Sequence, residues 1–591
     1  MIAYVHSFVK RPILFLRHRL SERHFFIVSS VLVGLTSGIA AIILKYLVHS
    51  IESFVRYSSR NYEDLLLFAS FPLIGILLTA IYEKYFLKQK VKKGSAEIVY
   101  SVVKESSVIS PRETYAHLVT SGLTVGFGGS VGLESPMVST GSAIGANYGQ
   151  AYGLSYKERT VLLGCGAAAG IAAAFNAPIA GVLFVVEVLL ADVGASVFIP
   201  LIISAATGAL VSKIVLAEGV ILTFSLQQPF NYHNVPYYIV LGILAGFVSL
   251  YYTRGFARID RRMARIPNPW VRVVTGGILL FILILLFPPL FGEGYETIKQ
   301  LSVLNAASLT NASILETAIR SEAHLLVFLG LLVLAKSFAA AITLGSGGNG
   351  GSFAPSLFIG AYVGYVFSRI INISGLAKIP ESNFTLVAMA GILSGVFYAP
   401  LTAIFLIAEL TGGYELMIPL MIVSSLSLIV NHFFEPLSPE AKKLSAKLNV
   451  TVESRDKRLL SRLDLNALIE TNFASIDPAE TLGSLTKVIA NSNRNLFPVV
   501  GDDGTLHGII YLDKIRQVIF DSQQYDKIHV KELMEQPSAI IRANESVHEA
   551  LEKFDRTSQW NLPVVENGKY RGFLSKSSIL TRYRNELLET A

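Results

Sequence analysis

Apolar residues run at membrane-spanning length near residues 26–53, 64–85, 196–216, 236–256, 272–293, 325–344 and 414–433, each close to the ~20 residues that cross a bilayer as a helix. Between them lie apolar pieces broken by Gly and Pro, at 113–127, 134–149, 157–176, 178–190, 353–371, 385–398 and 400–411. These read as too short or too interrupted for ordinary spans. Non-helical backbone at membrane depth is tolerated only where it is buried in protein or lines a cavity, so paired broken helices point to a solute path. After Glu435-Pro436 the pattern changes to charged and apolar residues in alternation. There it predicts two copies of a helix, a strand through Pro498-Val499-Val500 or Pro563-Val564-Val565, a turn at Gly504 or Gly568, and a strand from Gly508 or Gly572. The expected fold is an all-α multi-pass membrane domain followed by a pair of small α/β modules, at about 466–520 and 530–588.

Composition sharpens the division. Of the 591 residues 52% are hydrophobic and 16% charged, against about a quarter charged in soluble domains. Residues 441–591 hold 41 of the 93 charged residues, about 27% of their positions, and the first 440 residues only about 12%. The expected divisions are therefore 1–24, 25–440 and 441–591. The net charge of +7 is not the balance of a nucleic-acid-binding protein. Its basic residues gather at Lys10, Arg11, Arg17, Arg19 and Arg23 among apolar neighbours, an amphipathic segment that the positive-inside rule places on the cytoplasmic side of the cell membrane. The run after it is long enough to span, so no cleaved targeting segment is expected. Cys165, the one cysteine, sits in a Gly/Ala run and reads as a small packing residue.

The membrane part is an internal duplication. Gly126, Gly128, Gly129, Gly132, Pro136, Gly141 and Gly145 fall on Gly345, Gly347, Gly348, Gly351, Pro355, Gly360 and Gly364 at a constant offset of 219. After an insertion of about three residues, Phe175–Glu187 overlays Phe397–Glu409. Such repeats build two halves around a site at the membrane midplane.

Both loops are Gly-rich, end in Pro and enter a helix, an arrangement that presents unpaired backbone N–H groups at the positive end of a helix dipole. It favours an anion bound through Gly132, Leu133, Glu134 and Ser135 on one side and Gly351, Ser352, Phe353 and Ala354 on the other, with Ser130, Ser135, Asn349 and Ser352 as neutral side-chain donors. Neutral donors suit a conduit, because a fixed cation would release the ion slowly. Glu134 stands where the second loop has Phe353. A carboxylate there competes with the anion and leaves on protonation, which makes Glu134 a gate. Glu187 and Glu409 occupy equivalent places, for which helix capping and a functional role are both open. Asn176 reads as a turn residue. No metal-ligating, nucleophile or phosphate-loop pattern stands out, so an enzyme is not expected.

With these motifs the chain resembles the CLC family of chloride channels and chloride/proton exchangers, followed by a CBS domain pair. Gly132-Leu133-Glu134-Ser135-Pro136 is similar to the family's Gly-x-Glu-x-Pro motif, and Gly351-Ser352-Phe353-Ala354-Pro355 to its Gly-x-Phe-x-Pro motif. The resemblance implies inverted halves, a homodimer with one anion path per subunit, Glu134 as the gating glutamate, and anion coordination by the amides of Ser352, Phe353 and Ala354. Three departures follow. The family's serine ligand falls on Lys93 or on Ser95, beside Gly94, depending on the alignment. The tyrosine at the inner anion site is replaced by Pro439 or Glu440. The internal proton glutamate of many exchangers falls on Val188, next to Glu187, which is then the nearest candidate for a proton path. In the CBS pair the aspartate that commonly holds an adenine nucleotide is replaced by Lys514 and Ser578, with Asp513 one place early, so a packing and dimerising module with weak nucleotide binding is expected.

The function expected on these grounds is a gated chloride channel of voltage-gated type, with chloride as transported ligand and no required cofactor. Chloride/proton exchange is the alternative. A cation-coupled solute transporter would need polar clusters in both halves, and a nucleotide sensor with a plain membrane anchor would not need two matched loops.

Overall fold

Gly141 and Gly145, aligned above with Gly360 and Gly364, set close backbone contacts between helices. A Cβ at Gly141 would lie 2.0 Å from the Gly166 carbonyl oxygen, and one at Gly145 would lie 1.9 Å from that of Leu162. The helices Glu134–Ala151 and Tyr156–Phe175 therefore touch backbone to backbone. In the second half a Cβ at Gly364 would lie 2.2 Å from the Phe384 carbonyl oxygen, so Phe353–Ser374 and Glu381–Phe397 pack in the same way. Small residues at such crossings are how membrane helices gain dispersion contact without a hydrophobic driving force.

These features belong to a computed structural model, which describes residues 22–60, 64–190, 197–216, 224, 228–302, 309, 313–316, 319–448, 463–557 and 559–590. The amphipathic segment expected at 1–24 lies almost wholly outside them. The duplication governs the first unit, which ends at Asn449. Helix Glu22–Ser58 packs on Phe198–Val215 as Val235–Ala264 packs on Met417–Phe434. Leu65–Ile81 and Pro269–Leu286 pack on each other and stand at corresponding places in the two halves.

Among the described residues nine helices are long and apolar enough to cross a membrane. Two of them, Tyr156–Phe175 and Phe353–Ser374, correct the expectation that 157–176 and 353–371 are broken. Their glycines serve helix contact rather than interruption. The other pieces do remain short, as in Pro178–Phe184, which passes into a π-helical turn Val185–Leu189, and Pro400–Leu410. Large apolar side chains such as Ile43, Leu210, Ile214, Ile282, Val327 and Ile429 are exposed on the outer helices, as a lipid-facing wall requires.

The expected boundary at 440 is also corrected. Helix Pro439–Leu448 belongs to the first unit and packs on Ser95–Lys104. Lys447 pairs with Glu97 at 2.5 Å and lies 3.9 Å over the Tyr100 ring. The alternating charge that suggested a soluble module is here the polar face of a surface helix.

The second unit carries the two predicted copies. Strand Leu496–Val500 pairs antiparallel with Leu506–Tyr511, and Asn561–Glu566 with Lys569–Ser575. Each pair is irregular at the same place, between Val499 and Val500 and between Val564 and Val565. Both turns use glycine at positive φ, Gly504 at 82° and Gly568 at 84°, where a side chain would be strained. The second strands begin earlier than Gly508 and Gly572 because Leu506, and Lys569 and Tyr570, also pair, with His507 and Arg571 the extra residues at the two irregularities.

Candidate anion site

The two Gly-rich loops meet. Gly132 N–H donates to the Gly351 carbonyl at 2.9 Å, and Gly351 N–H returns the bond to the Gly132 carbonyl at 2.8 Å. Equivalent residues exchanging equivalent bonds is the mark of a two-fold relation. It also corrects the expectation that these two amides bind the anion, since their donors are already used. The Leu133 amide is likewise taken, donating to Glu293 Oε1 at 3.1 Å.

The helices Glu134–Ala151 and Phe353–Ser374 start immediately after the bridge. Their first-turn amides lack intrahelical acceptors, so the N–H groups of Glu134, Ser135, Phe353 and Ala354 are donors left, together with that of Ser352, which donates to no backbone carbonyl. The Glu134 carboxylate, 3% exposed, lies among them. Oε1 accepts from the Tyr295 hydroxyl. Oε2 has no complete hydrogen bond and lies so close to Gly132 that a Cβ there would be 2.0 Å away, and the carboxyl group faces the amides of Ala354 and of Glu134 itself. The carboxylate thus lies between two positive helix ends. Lys45, whose ammonium donates to the Ala174 carbonyl, adds Coulombic attraction toward Glu134 and Glu293.

Phe353 closes one side. Its ring packs on Phe175 at 5.5 Å and Phe397 at 5.4 Å, which are equivalent positions in the two repeats. Each is followed by a residue in left-handed conformation, Asn176 at φ 53° and Tyr398 at φ 58°.

A cavity of about 280 Å³ joins Glu134, Ser135, Ser352 and Phe353 to Lys93, Gly94, Ser95 and Glu440. Both alternatives for the serine position therefore border it. The Lys93 ammonium is held by the carbonyls of Gly347 and Gly348, each at 3.1 Å, and by Glu83 at 3.2 Å. Ser95 begins a helix whose next amide, Ala96 N–H, donates to Glu440 Oε2 at 2.9 Å. A carboxylate caps a helix start at this end of the cavity as well.

Glu187 and Glu409 are not at the cavity. Glu187 accepts from Leu401 N–H at 3.0 Å, Thr402 N–H at 2.8 Å and Thr402 Oγ1 at 2.6 Å. Glu409 accepts from Ile179 N–H at 3.0 Å and Ala180 N–H at 2.9 Å. Each half supplies the cap for the helix after Pro178 or Pro400 in the other, so the capping alternative is the one for which Glu187 has contacts. Ser130 and Asn349 are also not cavity donors. Ser130 Oγ donates to the Leu290 carbonyl and accepts from Lys336, while Asn349 Nδ2 donates to Thr120 Oγ1 at 2.7 Å. Both hold the loops in place.

Sequence reasoning missed Lys45, Glu293, Tyr295 and Lys336. The Lys336 ammonium is fully buried, bonded to Ser130 Oγ at 2.9 Å and to the Gly292 carbonyl at 3.0 Å. A lone cation inside the apolar run 325–344 was a usable signal, because intramembrane ionisable residues are rarely idle. Tyr295 offered none, since a phenol in a loop is unremarkable.

In the second unit a cavity of about 470 Å³ is lined by Glu470, Arg494, Asn561, Ser575, Ser577, Ser578, Thr581 and Arg582. Ser578 is there and Asp513 is not. Asp513 is exposed and paired with Arg516 at 2.6 Å. Among the described residues no His, Cys, Asp and Glu cluster could hold a metal ion.

Residues 74–432 match the voltage gated chloride channel family, and residues 465–521 and 530–585 each match the CBS domain. A putative chloride channel protein ClcB-like of Ralstonia nicotianae is 28% identical over 388 residues, covering 64% of this chain and 86% of its own length. In fold, a slow cyanobacterial Cl−/H+ antiporter superposes with a TM-score of 0.62 at 23% identity, covering 73% of this chain and 99% of that one. A eukaryotic CLC transporter superposes at 0.60 with 19% identity, covering 94% and 97%. With paired loops, broken helices and family match in agreement, the chain belongs to the voltage gated chloride channel family, a multi-pass membrane protein for CLC-type anion transport with a C-terminal CBS pair.

Proposed function

We propose that this protein conducts chloride or a similar small anion through each subunit of a homodimer in the cell membrane, as a channel gated by Glu134, with the N-terminus and the CBS pair on the cytosolic side. One observation carries the reading. The Glu134 carboxylate lies on the donors of two opposed helix starts, at the head of a cavity that reaches Glu440. An ionised carboxylate there excludes the anion, and a protonated one no longer competes for the amides.

Channel activity is favoured over chloride/proton exchange by Val188, an apolar residue at the exchangers' proton-glutamate position, and by the capping contacts that occupy its neighbour Glu187. Exchange remains the second reading, because Glu134 is itself a titrating group in the path. Reversal potential in reconstituted bilayers under combined chloride and pH gradients decides between them. Reversal at the chloride equilibrium potential at every pH is expected, and a shift that follows the proton gradient in fixed ratio means exchange.

In the CBS pair, the cavity beside Ser578 contains Arg494 and Arg582, groups suited to phosphate. Arg494 is already bound to Glu470 at 2.8 Å, which supports a packing module with weak adenine-nucleotide affinity.

A further inference from the structure

Helix Val235–Ala264 turns one face toward the cavity, and Phe256 and Asp260 line it. Tyr252, one turn before Phe256 on that face, is packed against the Phe256 ring at 5.9 Å and is 1% exposed. Its hydroxyl is sealed from solvent with no complete hydrogen bond, and the side chain it lies against is Ser352. Ser352 directly precedes helix Phe353–Ser374 and borders the cavity. A buried phenol left without a partner is destabilising, so its retention beside a proposed anion site calls for a reason.

Hydroxyl geometry supplies one. Tyr252 and Ser352 can each donate one proton and accept others. If Tyr252 donates to Ser352 Oγ, the Ser352 proton cannot point back at the phenol and is left for the cavity. The Ser352 hydroxyl then becomes a fixed neutral donor beside the amides of Phe353 and Ala354. This is the kind of ligand a conduit favours, because it orients an anion without the grip of a fixed charge. We propose that Tyr252 is a positioning residue for anion recognition, giving its proton to Ser352 so that the Ser352 hydroxyl is aimed at the anion. The inference rests on the site reading given above and deepens it, since it supplies a hydroxyl donor at the second loop.

The test uses the purified full-length protein in liposomes, with chloride flux measured against chloride concentration and against thiocyanate, a poorer hydrogen-bond acceptor. Tyr252→Phe is expected to raise the half-saturating chloride concentration about tenfold or more, the worth of one hydrogen bond to an anion, and to lower the preference for chloride over thiocyanate. Ser352→Ala should do the same, the double variant should do no more than Ser352→Ala, and Ser352→Thr should restore chloride affinity relative to Ser352→Ala. A purely structural tyrosine would change the melting temperature without moving selectivity. Unchanged chloride affinity in Tyr252→Phe, or effects of the two single variants that add, would overturn the inference. Glu134→Gln measured alongside separates the two levels. If it accelerates flux while Tyr252→Phe is silent, only the hydroxyl pair falls, and if the wild type carries no chloride the site reading and the pair fall together.

Discussion

Replacing Glu134 by Gln should open the path. The ionised carboxylate faces two amides at positive helix ends, those of Glu134 and Ala354, and accepts from Tyr295. Hydrogen bonds to a charged group contribute about 1.5–3 kcal/mol and neutral ones about 0.5–1.5, so loss of charge weakens each amide contact by about 1 kcal/mol. The two helix dipoles add about 0.3–1 kcal/mol each. The blocking conformation therefore loses about 2.6–4 kcal/mol, a shift of roughly 80-fold to 900-fold in the blocked-to-open ratio. Gln retains an oxygen for Tyr295, so the pocket need not collapse. Radiolabelled chloride efflux from liposomes should rise about tenfold or more at neutral pH, with the ceiling set by the open conduit. Wild-type flux should increase on acidification as the carboxylate protonates, and the variant should be flat over the same range. If the protein is an exchanger, the variant should also uncouple protons from chloride. A variant as slow and as pH-sensitive as the wild type would show that the carboxylate is merely a cap.

Tyr295→Phe removes the hydroxyl that holds Oε1, and should raise neutral-pH flux about tenfold or more while keeping the acid response; unchanged flux would mean the phenol does not hold the gate. Glu409→Gln weakens two cross-half caps and should lower the melting temperature in detergent by several degrees, about 1–2 kcal/mol; a melting curve identical to wild type would refute the capping role. Gly141→Ala puts a methyl group 2.0 Å from a backbone oxygen and should abolish the monodisperse peak in size exclusion, whereas Gly330→Ala, with nothing within 4 Å, should preserve it. Calorimetry on the full chain should show adenine-nucleotide binding weaker than micromolar, and submicromolar ATP affinity would overturn the weak-site reading.

Much of this molecule could be read from residue order, because apolar run length and the 219-residue repeat are local properties. The repeat located both loops and, through its one asymmetry, Glu134 against Phe353. Run length alone misjudged 157–176 and 353–371, because Gly in a membrane helix signals close approach as readily as it signals a break. Which amides remain free was not legible. The exchange between Gly132 and Gly351, and the Glu293 oxygen on Leu133, depend on contacts across long chain separations. For the same reason Lys45, Glu293 and Tyr295 escaped notice, each being joined to the site only by the fold.

The crossed caps have a consequence for descent. Glu187 completes a helix in the second half and Glu409 completes one in the first, so neither half satisfies its own backbone. A polypeptide comprising one repeat meets that need by pairing antiparallel with a copy of itself, as a two-fold dimer of half-size chains. Fusion of the two copies preserves the mutual debt of hydrogen bonds while releasing each loop from identity with the other. It is that release which permits one loop to carry a titratable glutamate and its twin a phenylalanine, giving a symmetric scaffold a direction.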